Sequence, residues 1–403
     1  MNWYNVFMEK RKLYIIGAGI AGLTAAHYAA KQGFEVEVFE ATANAGGRCR
    51  SYFDDKLGTV IDNGNHLIMG ANKNILRLIK DLGIENRLNK FDDKTFTFFD
   101  NRNGERYYYH APFPDLEKFG VLNFVNLFKF ILLPTAKPVR EAFRLSPNIY
   151  HKIINPVSRS ILNTPSEAAN SNILRRVFIK LITSRSGFDH YYPKNNWADA
   201  LITPLTAALQ AAGVKMNYNN SLKRTENSDN IIQKLIFDDR EIDVENDMVV
   251  LATPPSSVSK LVDIETPDEF SAIINVHFKF PHNFPPQIIG VINSNIEWIF
   301  VKPDMISTTY SAATISMNDA DLARNTWAIC SRVLGISQNM PEHRILTEKR
   351  ATFACTTQQL KKRPEQRTKY TNLFLAGDYV KNGLPATIEG AVVSGKKVCK
   401  YLE

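Results

Sequence analysis

The 403-residue chain has only four cysteines, Cys49, Cys330, Cys355 and Cys399, with no CxxC pair and none at zinc-ligand spacing. This scarcity argues against a disulfide framework and a structural metal, and points to a reducing compartment. Also lacking is any run of about eighteen uninterrupted apolar residues, the length a membrane-spanning helix needs. The formal charge is +8, yet there are no arginine-rich tracts, because basic residues are interleaved with acids. Nucleic-acid binding is therefore not expected, while attraction to an anionic membrane surface stays open. No internal repeat or low-complexity tract is visible. Lys10-Arg11-Lys12 and the apolar residues from Leu13 imitate a secretory leader. Three glycines at fixed spacing and then an alternating strand interrupt that pattern, so a leader is not expected.

What is present is a chain with 44% hydrophobic residues, 24 Phe and 15 Tyr, enough for a large core and, by length, two or three domains. Leu13 to Ile16 reads as a strand, Gly22 to Gln32 as a helix closed by Gly33, and Val36 to Phe39 as a second strand. Such a βαβ unit implies parallel strands and an α/β architecture. A helix is expected from Asn72, with Ile75, Leu78, Ile79 and Leu82 on one face and Gly83 at its end. Residues from about 84 to 200 are aromatic-rich and irregular, with the cluster Tyr107-Tyr108-Tyr109 and an apolar stretch, Phe119 to Leu133, stopped by Pro134. Within it Asn123, Asn126 and Lys129 form a narrow polar stripe. Two readings stand: a buried core helix, or a helix that lines a lipid channel or dips into a bilayer face.

Near residue 200 the α/β character returns, with a helix at about 203–212 and short strands through Asp239. Asp247 to Thr253 reads as a buried strand ending at Pro254-Pro255. Ile273 to Phe280 and Ile296 to Val301 are strand-like, and Asn372 to Ala376 is a strand before a helix from about Ala386. The simplest partition is two interleaved domains. Residues 1–75, 200–264 and 351–403 would make a discontinuous cofactor domain, and 76–199 with 265–350 an α+β substrate domain.

Gly17-Ala18-Gly19-Ile20-Ala21-Gly22 is GxGxxG placed directly between a strand and a helix. The first glycine allows the tight turn, the second lets a pyrophosphate approach the backbone, and the third permits close helix packing. Glu40 closes the second strand, where a carboxylate can accept both ribose hydroxyls of an adenosine and disfavours a 2′-phosphate. Gly46-Gly47-Arg48 follows, offering close backbone approach and a guanidinium able to reach phosphate or flavin. Asp62-Asn63-Gly64-Asn65-His66 and Gly377-Asp378 complete a series that indicates FAD rather than NAD.

In that order, these motifs resemble the flavin-dependent amine oxidase and phytoene desaturase superfamily over essentially the whole chain. Within it, AGGRCRSYFD (Ala45 to Asp54), IDNGNHLIM (Ile61 to Met69), LNTP (Leu162 to Pro165) and LAGDYVKNGLPATIEGAVVSGK (Leu375 to Lys396) resemble the hydroxysqualene dehydroxylases of the hopanoid pathway. The resemblance implies a Rossmann-like FAD domain of the glutathione reductase type. It implies Gly17, Gly19 and Gly22 at the pyrophosphate, Glu40 at the adenosine ribose, and Gly47 with Arg48 on the phosphate and flavin side. Leu222, in a strand-like stretch, would contact adenine through its backbone, and Asp378 would hold the ribityl chain or pyrophosphate. Thr387 and Ile388 would bring the last helix N-terminus to the flavin carbonyl, with Gly64, Asn65 and His66 close to the ring.

Two departures narrow the reaction. Amine oxidases of the superfamily place an aromatic residue where this chain has Thr387, and no cysteine lies in that loop for a covalent flavin link. The implied reaction is reductive removal of the hydroxyl of hydroxysqualene, with reduced FAD as hydride donor. Hydroxide leaves poorly, so a proton donor is required; His66 is the first candidate and Asp62 the second. The same resemblance implies a greasy isoprenoid substrate, a membrane surface and squalene-pathway synthases as partners, and a cytoplasmic location peripheral to the inner membrane face. A desaturase running the flavin oxidatively shares every cofactor residue and remains open, as does a non-catalytic isoprenoid-binding flavoprotein.

Overall fold

The computed structural model describes residues 11–91, 94–111, 120–135, 137–144, 147–314 and 318–402. Lys10 and Phe119 lie outside them. In the strand Lys12–Ile16 all four residues from Leu13 are buried, as a central strand covered on both faces requires. It sits in a five-stranded parallel sheet ordered Lys215–Asn217, Glu35–Phe39, Lys12–Ile16, Met248–Leu251 and Leu373–Leu375. The helix Ile20–Lys31 makes the first crossover. It starts two residues before the sequence reading, because Gly19 is extended and serves as its N-cap.

The last helix, Ile388–Val398, lies against Ile20–Lys31 so closely that a Cβ on Gly395 would stand 2.3 Å from the Ala21 carbonyl oxygen. Leu13, Ile15, Val36, Val38 and Val250 join these helices in one core. Tyr14, Ile16, Phe39, Val249 and Leu251 face the other way, onto a core shared with Ile232 and Leu235 of a small three-stranded sheet. Each fully buried Leu, Ile or Val contributes about 1.5–3 kcal/mol, so burial on both faces holds the strand register.

A second sheet has seven strands in the order His343–Phe353, Phe270–Lys279, Met305–Ala313, Trp298–Lys302, Gln287–Ile292, Thr95–Asp100 and Arg106–His110. Only Gln287–Ile292 and Thr95–Asp100 pair in parallel. One face, with Ile274, Val276 and Ile306, is closed by Leu322, Trp327 and Val333 of the helix Asp319–Leu334. The strand His343–Phe353 runs past residue 350, where the sequence reading put a boundary.

Three local expectations need correction. Leu222 is not in a strand; it lies in irregular chain before Arg224–Ser228, with its side chain buried in the second core. The helix near 203 begins earlier, with a π turn at Ala198–Ile202. Within Val121–Leu132 only Phe130 is buried, while Val121, Leu122, Val125, Phe128 and Leu132 are exposed. The buried-core reading of that helix is therefore wrong; its apolar stripe at i, i+4, i+7 and i+11 points outward.

Candidate active site

The glycine turn sits at the carboxyl end of the central parallel strand, where open α/β sheets bind ligands. Gly17 has φ +108°, and its amide donates to the Phe39 carbonyl at 2.7 Å. A Cβ there would stand 2.7 Å from the Ala252 carbonyl oxygen, and one on Gly22 only 1.9 Å from that of Gly17. Around Gly19, by contrast, a Cβ would meet nothing within 4 Å. The first and third glycines are thus required by the protein itself, whereas the second opens onto free space at a helix N-terminus that has no side-chain cap and no acid in its first turn. The electropositive end of that helix, left bare beside free space, fits a pyrophosphate. Thr253, beside the turn, has a buried hydroxyl without a partner among the described residues.

Glu40 closes this turn. Its carboxylate accepts from the Ala18 amide at 2.9 Å and from the Thr42 amide and hydroxyl at 3.0 and 2.8 Å. Gly46 and Gly47 cross in front of the helix start: the Gly46 amide donates to Ala18 at 2.8 Å, and Gly19 and Gly46 form a bridge. Arg48 is engaged by the protein itself. Its guanidinium donates to the Asp378 carboxylate at 2.7 Å and to the Ala351 carbonyl at 2.6 Å, so the two residues expected to hold the cofactor separately are joined as a pair.

His66 is half-buried, edge-on to Trp197, with Nε2 3.3 Å from the Arg48 carbonyl oxygen. Loss of water around the ring holds its pKa below the ordinary value, against weaker opposing contributions from the Arg48 carbonyl and Asp62. Asn65 donates to Ser307 at 2.8 Å and Thr309 at 3.1 Å, tying the loop to the large sheet. Gly64 lies between His66 and Asn275.

Asp62, the second candidate for proton donor, does not suit that role. Its Oδ1 accepts from Ser51 at 2.7 Å and the Trp197 amide at 2.8 Å, and its Oδ2 from Lys302 at 3.0 Å. Burial alone would raise its pKa, but Lys302, the Trp197 amide and Ser51 together outweigh burial and hold the carboxyl below its ordinary value. An ionised carboxylate with both oxygens engaged has no proton to give. It caps the helix that starts at Trp197 from outside that helix's own sequence.

Thr387 is the N-cap of the last helix and accepts from the Gly390 amide at 3.1 Å, with Ile388 as its first residue. Two residues here escaped the sequence reading. Glu389, buried, turns away from its own helix and accepts from the Asn74 and Ile75 amides at 3.2 and 3.0 Å, supplying the acid that the helix Lys73–Asp81 lacks in its first turn. Arg363 donates to the carbonyls of Asp378, Tyr379, Val380 and Leu384 and to the Asn382 side chain, all between 2.7 and 3.0 Å. It has no carboxylate partner among the described residues, and burial lowers its pKa to about 10. In sequence it is the end of a basic run, Lys361-Lys362-Arg363, that looks like a solvated surface; only the fold reveals it as the clamp on the loop carrying Asp378.

A nucleotide cradle, a clamped acidic loop and a helix N-terminus converging from three separated segments define a flavoenzyme. The chain belongs to the flavin containing amine oxidoreductase family, whose model matches residues 20–402. Within that family it belongs with the hydroxysqualene dehydroxylases. It is 34% identical over 402 residues to hydroxysqualene dehydroxylase from Zymomonas mobilis, an alignment covering 95% of this chain and 97% of the relative. A 15-cis-phytoene desaturase from an Oncidium hybrid cultivar is more distant, 23% identical over 96% of this chain and 76% of its own length. Among solved structures, an oxidoreductase from Methanosarcina mazei superposes with a TM-score of 0.73 at 14% identity, covering 96% of this chain and all of that one, and so shares the fold. The chain is an FAD-dependent oxidoreductase.

Proposed function

We propose that the protein removes the hydroxyl of hydroxysqualene reductively to give squalene and water. The observation that carries this reading is the end-to-end similarity to a hydroxysqualene dehydroxylase, with phytoene desaturase further off. Bound FAD, when reduced, supplies the hydride. Gly17, Gly19, Gly22 and Gly47 would receive the pyrophosphate, Glu40 the adenosine ribose and the Leu222 backbone the adenine. The Arg48–Asp378 pair and the Thr387–Ile388 helix start would sit toward the ribityl chain and flavin, with Gly64 and Asn65 beside the ring. The division into cofactor and substrate domains belongs to the same proposal. It is supported by two separate sheets, one drawing strands from 12–39, 215–217, 248–251 and 373–375, the other from 95–110 and 270–353.

The carbinol needs a proton as its C–O bond breaks, and His66 is our candidate donor. A histidine whose pKa is lowered is a stronger acid once protonated but is protonated less often, so turnover through it rises as pH falls below neutral. His66→Ala should abolish turnover, and with it this acidic limb, while FAD binding persists; a variant with normal turnover removes His66 from the mechanism. The reaction itself is tested anaerobically, with hydroxysqualene given to the protein together with a reductant and phytoene given separately to the oxidised protein with an electron acceptor, followed by mass spectrometry of the lipids. Squalene from the first supports the reading; desaturated product from the second, and none from the first, favours the oxidative rival.

The same proposal places the protein on the inner face of the cytoplasmic membrane. No described helix is long and apolar enough to cross a bilayer. The outward stripe of Val121–Leu132, continued by exposed Leu133 and Ile182, offers an apolar face to lie in an interface, with the exposed Lys129 nearby for anionic headgroups. Squalene-pathway synthases would supply the substrate from the same surface.

A further inference from the structure

We propose that the cavity between the helix Ser171–Thr183 and the loop 382–384 is a phosphate site that seats the headgroup of an anionic phospholipid, with Arg176 and Lys180 as its ligands. The inference deepens the membrane reading above and rests on it. Acids and bases are interleaved along most of the chain, but the segments 120–135 and 168–188 carry Lys129, Arg175, Arg176, Lys180 and Arg185 and no aspartate or glutamate. The fold brings those two segments together. Arg175 donates to the Ile131 carbonyl at 2.8 Å, and the Phe178 and Phe130 rings meet edge-on at 6.1 Å. The helix Ser171–Thr183 therefore flanks the outward apolar stripe of Val121–Leu132, and its own Ile182 is exposed as well.

Arg176 and Lys180, four residues apart, share one side of that helix. With Ile179, Asn382, Gly383 and Leu384 they line a cavity of about 270 Å³, a little under the roughly 300–1,000 Å³ of small-molecule sites and suited to a headgroup. Both side chains are exposed, and neither has a carboxylate partner among the described residues, whereas Lys381 beside the loop is paired with Glu365 at 2.8 Å. Two unneutralised cations at one opening, one of them a planar guanidinium fork, fit a phosphodiester. Gly383 lets the guanidinium close on the loop: its φ is +76°, and a Cβ there would stand 2.7 Å from a guanidinium nitrogen of Arg176. Ile179 and Leu384 add an apolar wall that the glycerol and ester region of a lipid can use and an inorganic ion cannot. Asn382, in the same loop, accepts from Arg363 and donates to the Gly390 carbonyl, both at 3.0 Å. A headgroup here therefore touches the loop that also carries Asp378.

The test uses the whole FAD-loaded chain and two kinds of probe. Dihexanoyl-phosphatidylglycerol, dissolved as monomers, reports on the site alone by isothermal titration calorimetry, beside dihexanoyl-phosphatidylcholine and inorganic phosphate. Flotation with vesicles of phosphatidylcholine, alone or in equal parts with phosphatidylglycerol, reports membrane binding. Arg176→Gln and Lys180→Gln should each weaken binding of the short-chain anionic lipid about tenfold, as loss of one charge-assisted hydrogen bond predicts. Arg185→Gln, which removes the same charge outside the cavity, should bind as wild type. All three positions are exposed, so the variants should match the wild type in urea unfolding. Inorganic phosphate and the zwitterionic lipid should both bind more weakly than the anionic one; phosphate binding as tightly as the lipid would overturn the lipid assignment. Unchanged binding in Arg176→Gln and Lys180→Gln would overturn the site even if the wild type floats with the anionic vesicles. Short-chain binding that depends on Arg176 and Lys180, with the wild type in the lipid-free fraction beside both vesicles, would leave the site standing and refute the membrane reading.

Discussion

The two large sheets solve different problems. The parallel sheet concentrates its contribution in one turn, where Gly22 and Glu40 are fixed by contacts to Gly17 and Ala18, Gly17 is fixed by the Ala252 carbonyl at the end of the neighbouring strand, and Gly19 is left open. The seven-stranded sheet spreads its contribution over a row whose members, from Tyr107 to Asn275, are adjacent only because six strands are in register. A site made of backbone and a helix end tolerates little change at single positions, while a row of packed side chains can be altered gradually. The consequence is that variants in the glycine turn should fail abruptly and variants in the large sheet by degrees.

The sharpest way to break that contrast is Gly22→Val. With a Cβ only 1.9 Å from the Gly17 carbonyl oxygen, the turn must open, and FAD affinity should fall about a thousandfold, roughly 4 kcal/mol, measured by flavin fluorescence. Retained affinity would mean that the turn does not hold the nucleotide.

Arg363→Met comes next. It leaves buried carbonyls of the 378–384 loop without donors, each costing about 1–3 kcal/mol when unsatisfied. A net loss of about 3 kcal/mol in urea unfolding is expected, together with weaker FAD binding. Lysine should rescue little, because three donors on one nitrogen cannot replace a planar fork of five. Full rescue by lysine would show that charge alone matters at this position.

His277 sharpens the other side. Fully buried in the large sheet, with Nδ1 2.8 Å from the Ser307 hydroxyl, it has its pKa pushed down by burial to about 4. Lys302 lowers it further, while Asp62 and Asp54 oppose the shift. The unfolded imidazole takes up a proton near its usual pKa of about 6.5. Between that value and the folded one the unfolded state binds more protons, so stability is lost as pH falls through this window. By pH 5 the loss should reach about 2 kcal/mol, and His277→Asn should flatten that part of the pH–stability curve. An unchanged curve in the variant would assign the acid sensitivity elsewhere.

The smallest effect on stability should come from Phe128→Glu, within about 0.5 kcal/mol for a surface site. The same change should move the protein from the floating to the lipid-free fraction with anionic liposomes. Recovery of the wild type itself wholly in the lipid-free fraction would contradict the membrane proposal.

How legible each region was in the sequence follows the same division. Gly17 to Gly22, Glu40 and the flanking strands carry their meaning in local spacing, so the turn and its helix could be placed to within two residues. Arg48 and Asp378 were each recognisable as polar groups near a glycine, but their pairing across 330 positions was not. Asp62 looked like an acid available for chemistry because sequence does not show Lys302, Ser51 and the Trp197 amide converging on it. Glu389 and Arg363 were missed for the same reason, since each serves a segment remote from its own. The stripe on Val121–Leu132 was visible, yet composition alone could not say which way it faced.

The direction of electron flow separates this account from its nearest rival, and one anaerobic spectrum measures it. The protein is reduced until its flavin is bleached and then given hydroxysqualene. The account predicts that the oxidised-flavin absorbance returns in step with squalene formation, and that phytoene does not bleach the oxidised protein. A flavin that stays bleached with hydroxysqualene but is reduced by phytoene would contradict it.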